Sequence, residues 1–365
     1  MITAVYADLG VGAREFHIPF PECREDIRIK NIRREKCMKE LRIGSIGSGV
    51  IVHNVLGNVQ RTEGIRLEAV YSRSEEKGRA LADKFSAKKV YTDMDTFLAD
   101  PDIDIVYIAT PNLLHYAQTK RALEAGKNVI CEKPFCTKLS QARELVELAG
   151  TKQLFLVEAV PTSFLPNFQV LKDALQKIGR IRLVLANYSQ LSSRYSNLLS
   201  GEVPNIFNPD FAGGCLMDIN YYNVYLTVAL FGKPQRAVYW PNLFDGKIDT
   251  SGIMHLQYAD FTAACAGAKD TWGVNAYQIE GERGFIYVKD GSNGLAEIRI
   301  VTKDKDETIN RQPVPDRWYY EVQALTKLMQ DGDYEALHSR LDIMLDVVET
   351  VENARKQAGI LFPGD

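Results

Sequence analysis

From Leu41 onward the chain alternates between short apolar runs and longer amphipathic stretches. Leu41, Ile43 and Ile46 predict a buried strand. Val50, Ile51, Val55 and Leu56 then open a helix that runs to about Thr62. Ile65–Tyr71 predicts a second strand and Glu75–Phe85 a helix, with Ser74 placed to cap its first turn. Val90-Tyr91, Ile103–Ala109, Asn128–Cys131 and Gln153–Glu158 supply four more strands. Between them lie helical patterns at Met94–Leu98, Leu113–Ala125 and Leu139–Leu148, the second stopped by Gly126-Lys127. Strand and helix in strict alternation predict an α/β fold with a doubly wound parallel sheet.

The pattern changes after Pro161. A helix over Phe164–Ile178 stops at Gly179, and Ile181–Gln190 alternates as a long strand. Leu191–Ala212 is irregular and rich in Ser, Asn and Pro, a length that usually marks a functional loop. Cys215–Phe231 has helical spacing. Strands then crowd together at Ala237–Trp240, Gly252–Tyr258, Phe261–Gly267, Ala276–Gly281, Gly284–Lys289 and Ala296–Val301, with hairpin turns at Glu282-Arg283 and Asp290-Gly291. Tyr320–Met329 and Tyr334–Lys356 read as closing helices. The second half is therefore expected to be α+β, with a mostly antiparallel open sheet. The expected organisation is an extension over residues 1–40, a first domain over 41–160 and a second over 161–365.

The extension differs in kind. It has little periodicity, and Glu22–Glu40 is dense in charge. Arg33-Arg34-Glu35-Lys36 can be written with purine-only codons just before Met38, which predicts a ribosome-binding sequence there and translation starting at Met38. The alternative is an N-terminal arm.

Composition narrows the classes. With 365 residues, 45% apolar and 25% charged, the chain reads as two globular domains. A net charge of -3 gives no general attraction to nucleic acid or an anionic membrane, and no apolar run reaches membrane-spanning length. Cys23, Cys37, Cys131, Cys136, Cys215 and Cys265 form no C-x-x-C pair, and the five histidines show no ligand spacing. Reduced thiols, a cytoplasmic location and no bound metal are expected.

The chemistry is carried at strand ends. Gly47-Ser48-Gly49 follows the first strand and precedes Val50 and Ile51 of the first helix, the start of a dinucleotide-binding βαβ unit. The first glycine permits the turn, the second lets backbone approach a pyrophosphate, and the helix N-terminus offers free N–H groups. Val52 stands where a third glycine would give close helix–strand packing. At the end of the second strand an NAD site commonly has an acidic residue, but here Ser72-Arg73-Ser74 stand there, and Glu68 lies inside the strand. A guanidinium with two hydroxyls suits a 2′-phosphate, so NADP is expected over NAD. The fourth and fifth strands end in Thr110-Pro111-Asn112 and Glu132-Lys133-Pro134, both on the ligand-binding edge of the sheet. Lys133 is expected in the cleft, where an ammonium stabilises developing charge. His115 either bonds the cofactor or caps its helix. Gly213-Gly214 precede Asp218 and Tyr222, which are four apart and so share one helix face. A tyrosine beside an ammonium is expected to have a lowered pKa and to transfer protons, with the adjacent Tyr221 competing for the role.

These motifs, in this order, resemble the glucose-fructose oxidoreductase/inositol dehydrogenase (Gfo/Idh/MocA) family from about Leu41 to the C-terminus. The resemblance implies a Rossmann domain followed by an α/β domain whose open sheet often makes dimer or tetramer contacts. It implies NAD(P)-dependent oxidation of an alcohol or reduction of a carbonyl, often on a sugar, polyol or diol. Lys133 matches the family's catalytic lysine and Asp218 the acid of its D-x-x-x-H motif. Tyr222 replaces that motif's histidine, as in the dihydrodiol dehydrogenase and glucose-fructose oxidoreductase branch. On this reading Tyr222 is the acid/base, Lys133 lowers its pKa, and Asp218 orients the substrate. Arg194, Tyr195 and Asn205 are expected to line the substrate pocket. The alternatives are a non-catalytic NADP-binding sensor and an enzyme that recycles a permanently bound cofactor.

Overall fold

In the computed structural model the described residues are 40–365, so the Met38 start and all of the extension before Glu40 fall outside them. The first sheet contains β1 (Leu41–Ile46), β2 (Ile65–Tyr71), β3 (Lys89–Tyr91), β4 (Ile105–Ile108), β5 (Asn128–Glu132) and β6 (Leu156–Ala159). Its order is β3-β2-β1-β4-β5-β6 and every pair is parallel. Helices α1 (Val50–Gln60), α2 (Glu75–Phe85), α3 (Met94–Ala99), α4 (His115–Glu124) and α5 (Leu139–Lys152) make the crossovers. β4 and β6 are buried along their whole length, as a sheet covered on both faces requires; β4 is apolar throughout, and β6 carries one buried acid, Glu158. The strand order reverses between β1 and β4, and a crevice opens beyond their carboxyl ends at such a point.

Helix α6 (Pro166–Leu175) leads into the second sheet, whose strands are β7 (Ile181–Ser189), β8 (Arg236–Phe244), β9 (Ile248–Gln257), β10 (Thr262–Ala268), β11 (Ala276–Gly281), β12 (Gly284–Lys289), β13 (Glu297–Thr302) and β14 (Asp306–Ile309). Their order is β14-β13-β12-β11-β7-β10-β9-β8, and only β7 with β10 is parallel. Helices α7 (Tyr195–Leu199), α8 (Asn220–Phe231) and α9 (Gly291–Gly294) interrupt the strands, and α10 (Arg317–Asp331) and α11 (Tyr334–Gln357) close the chain. One face of the sheet is a core built on Val184, Met254, Cys265, Ile279, Ile286 and Ile298 with α8. The other face leaves Leu185, Trp240 and Ile253 exposed. Trp240 pairs with Ile253, and both lie on the same face as Leu185.

The structure departs from the sequence pattern at four places. Helix α8 begins at Asn220 rather than Cys215. The Cys215 and Leu216 N–H groups donate instead to the carbonyl and carboxylate of Asp249, at 2.9 and 2.6 Å. The Leu191–Ala212 stretch holds the short α7 and two 3-10 turns, and β14 is a polar edge strand with no apolar alternation to announce it. Finally, α10 and α11 bury Val322, Leu325, Met329, Leu341, Met344 and Val348 in the cores of the first sheet. The closing helices thus span both halves rather than belonging to the second alone.

Candidate active site

Two neighbouring cavities that share Ala109, Thr110, Asn112, Lys133 and Asp218 in their walls occupy the crevice. The larger, about 860 Å³, runs from Gly47-Ser48-Gly49 past Ser72, Arg73 and Ser74 to Lys133 and Asp218. Gly47 has φ +124°, and a Cβ there would stand 2.3 Å from the Ala109 carbonyl oxygen, so only glycine fits between β1 and β4. A Cβ on Gly49 would meet nothing within 4 Å, which leaves that side open to a ligand. Val52 is fully buried, and its Cγ2 lies 3.4 Å from the Cβ position of Gly47, so it roofs the turn from the core side. These residues fit a dinucleotide: an open glycine, the free N–H groups of α1, and room for the whole group. Val50 is 79% exposed and lines neither cavity, whereas Ile51 lines the smaller one.

Arg73 sits on the cavity wall with Lys77, a second cation that the sequence reading did not single out. Ser74 caps α2 by accepting from the Lys77 N–H, and Ser72 Oγ accepts from the Ser74 N–H at 3.2 Å. Glu68 lies away from this wall, buried inside β2 and paired with Arg66 at 2.6 Å. Thr110 and Asn112 line both cavities. Asn112 Nδ2 donates to the Ala212 carbonyl at 2.7 Å and so joins the end of β4 to the second half.

His115 packs between the turns that follow β4 and β5. It is buried, lines neither cavity, and contacts the carbonyls of Pro134 and Thr110 at 2.9 Å each. Burial holds its imidazole below the ordinary range. These contacts tie it to the turn that carries Lys133, whose peptide bond to Pro134 is cis.

The smaller cavity, about 310 Å³, is lined by Glu132, Lys133, Tyr188, Gln190, Asp218, Tyr222 and Arg317 among others. Lys133 Nζ donates to the Asp218 backbone oxygen and to Oδ1, both at 2.8 Å, and lies 4.6 Å from the Tyr222 ring centre. The other Asp218 oxygen accepts from Lys269 Nζ, a buried ammonium at the end of β10. Burial opposes the Asp218 charge, but the two ammoniums outweigh it and hold the carboxyl well below the usual carboxylate range. Burial likewise works against the Lys133 charge. Asp218 and Tyr222 outweigh it, and the ammonium stays above the ordinary lysine range.

Several expectations change here. Asp218 precedes α8, so it and Tyr222 do not share one helix face, although both reach the same cavity. Tyr221 is buried with its hydroxyl on Glu158 at 2.6 Å, and Tyr222 faces the cavity. The Tyr222 phenol is not lowered: burial pushes it up to about 12, with Lys133 and Arg317 pulling the other way. Gly213 lines the larger cavity, and both Gly213 and Gly214 also accommodate the chain itself, since a Cβ would meet the Ile206 carbonyl oxygen at 2.6 Å or Asp249 at 2.1 Å. Asn205 lines the larger cavity, but Arg194 and Tyr195 line neither.

Residues 41–159 match the oxidoreductase family with an NAD-binding Rossmann fold, Gfo/Idh/MocA, and residues 168–287 match the Gfo/Idh/MocA C-terminal domain. The chain belongs to the Gfo/Idh/MocA family. It is therefore an oxidoreductase, as the motifs implied. It is 34% identical over 328 residues to scyllo-inositol 2-dehydrogenase (NADP(+)) of Bacillus subtilis (strain 168), covering 89% of this chain and 99% of that relative. It is 27% identical over 348 residues to human trans-1,2-dihydrobenzene-1,2-diol dehydrogenase, covering 89% and 99%. The fold is similar to that of KijD10, a 3-ketoreductase from Actinomadura kijaniata solved with NADP and TDP-benzene. The TM-score is 0.76 and the identity 23%, over 87% of this chain and 98% of that one. Among the described residues no cluster of ligating side chains could hold a metal, and no helix is long and apolar enough to cross a membrane.

Proposed function

We propose that this Gfo/Idh/MocA member is an NADP-dependent oxidoreductase that interconverts an alcohol and a carbonyl on a small sugar or polyol. The observation that carries this is the Lys133–Asp218–Tyr222 cluster, set where the larger cavity meets the smaller one. The NADP-linked relatives support the cofactor, as does Arg73 beside Lys77 at the end of β2. The nicotinamide, when bound, supplies or accepts the hydride.

The chain's own residues handle the proton and the charge. Tyr222 keeps its proton through the neutral range, so its hydroxyl donates to a substrate oxygen as a carbonyl becomes an alcohol, and recovers that proton in oxidation. Lys133 has three N–H donors, of which two hold Asp218; the third is left for the same substrate oxygen. Asp218 is kept ionised by two ammoniums, and it orients Lys133 and a substrate hydroxyl.

Incubation with NADP or NADPH and a panel of sugars, polyols and their keto forms tests the reading. Turnover that depends on cofactor and is faster with NADP(H) than with NAD(H) is expected. Saturable cofactor binding with no turnover across the panel would favour a sensor instead. A cofactor that survives desalting would favour internal recycling. A homodimer or homotetramer through the uncovered sheet face fits the exposed Leu185, Trp240 and Ile253. A reducing, cytoplasmic setting fits the buried free thiols of Cys131, Cys136, Cys215 and Cys265.

A further inference from the structure

Arg317 stands apart from the other charged groups of the site. It comes from the first turn of α10, far in sequence from Lys133 and Tyr222, and it lines the smaller cavity with both. Its guanidinium carbon lies 4.1 Å from the Trp318 ring centre and 5.9 Å from that of Tyr222. Among the described residues it makes no hydrogen bond or ion pair, and its buried Nε has no partner. A guanidinium stacked on an indole keeps its hydrogen-bonding edges free in the ring plane, where they match the two oxygens of a carboxylate.

None of the surrounding carboxyl groups pairs directly with that cation. Asp218 is already shared between Lys133 and Lys269. Glu132 faces Arg317 from β5, but its Oε1 takes the Tyr107 hydroxyl at 2.8 Å, and burial holds the carboxyl above its ordinary range. Glu321, one turn along α10, is buried and pushed up in the same way. Neither hydrogen-bonds the guanidinium. A small cavity with an ammonium at one wall and an unpaired guanidinium at another attracts an anion, and its size suits a single sugar unit.

We propose that Arg317 binds a carboxylate on the substrate, so that the site takes a polyhydroxy acid, a uronate or an aldonate, in preference to the neutral sugar or polyol. This rests on the oxidoreductase reading of the same cavity and names the substrate class within it.

The test is calorimetric titration of the NADP-saturated protein with D-glucuronate, D-galacturonate and D-gluconate. Each is set against D-glucose, D-galactose and sorbitol, with D-glucose 6-phosphate as a further arm. At least one acid should bind roughly tenfold to a hundredfold more tightly than its neutral counterpart, the range for a charge-assisted pair. Arg317→Met should collapse that ratio to near one, and Arg317→Lys should retain part of it. The unfolding temperature of each variant confirms that it is folded, and the lysine variant still reports if the methionine variant is not. Equal affinities for acid and neutral forms, no measurable binding of any acid, or an acid preference that survives in Arg317→Met would overturn the proposal. A sugar phosphate bound more tightly than every acid would overturn the carboxylate assignment. If Arg317→Met shifts only the pH profile of turnover and leaves the ratio intact, the residue tunes Tyr222 instead, and the proposal fails. Binding is read without turnover, so a failed turnover screen would count against the oxidoreductase reading and leave this one to its own result.

Discussion

The two ends of the crevice are built in different ways. At the cofactor end, the critical features belong to one turn, Gly47–Gly49, and to the chain directly after β2. At the chemical end, Lys133, Asp218, Tyr222, Lys269 and Arg317 come from four regions of the chain and converge as side chains. A site made of backbone needs particular residues at adjacent positions, because only glycine accepts φ +124° with a carbonyl 2.3 Å from its Cβ position. A site made of side chains needs only that the fold bring them together. The first kind leaves a local signature, and the second leaves one only where a member sits in a rigid turn, as Lys133 does before Pro134.

If the comparison is right, changes at the two ends should separate chemistry from binding. Lys133→Met should produce the largest loss, about a thousandfold or more in kcat, because it removes both the cation beside Tyr222 and one of the two ammoniums that hold Asp218. NADP affinity, measured by fluorescence quenching, should stay within a few-fold. A loss of cofactor binding as large as the loss of turnover would join the two ends into one.

Arg73→Ala should do the reverse on a smaller scale. NADP affinity should fall roughly tenfold to a hundredfold, in line with one charge-assisted contact, with NAD affinity nearly unaffected and kcat kept at saturating cofactor. An equal loss for NAD and NADP would show that the side chain does not read the 2′-phosphate.

The smallest effect concerns what holds the chemical end in place. Glu158 accepts from the Phe135 N–H at 2.9 Å and from the Tyr221 hydroxyl at 2.6 Å, tying the Lys133 turn to α8. Burial pushes its carboxyl from 4.5 up to about 7. Between those values the folded protein keeps a proton that the unfolded chain has released, so stability falls as pH rises through that window. Glu158→Gln keeps an acceptor for both donors and should flatten the dependence. It should then be more stable than the parent at pH 8 by at most about 3 kcal/mol, read from denaturant midpoints at several pH values. A parent protein whose stability rises from pH 5 to 7, with the variant following it, would contradict this.

The same contrast explains what could be read from the sequence. The parallel sheet was legible because β1, β2 and β4–β6 are short, largely apolar runs between amphipathic helices, and the antiparallel second sheet because its strands alternate. Strand β14 was not legible, having no buried face to impose a pattern. At the site, the glycine turn, Arg73 and Lys133 were visible as local motifs. Lys269 and Arg317 were not, since nothing near either residue in sequence distinguishes it from a surface charge; only the packing of β10 and α10 makes them part of the site. His115 was ambiguous for a related reason. Its two carbonyl partners, on Thr110 and Pro134, are visible only once the turns after β4 and β5 are brought side by side. The Tyr222 shift was misread because the sequence shows the neighbouring ammonium but not the burial that outweighs it.

The most direct test compares two adjacent phenols. Tyr222 faces the cavity beside Lys133, while Tyr221 points into the core onto Glu158. With any substrate found in the NADP(H) screen, Tyr222→Phe should lower kcat by about a hundredfold or more with NADP affinity retained, and Tyr221→Phe should lower stability but keep most of the turnover. A Tyr222→Phe protein as active as the parent would contradict the assignment of the proton to that residue.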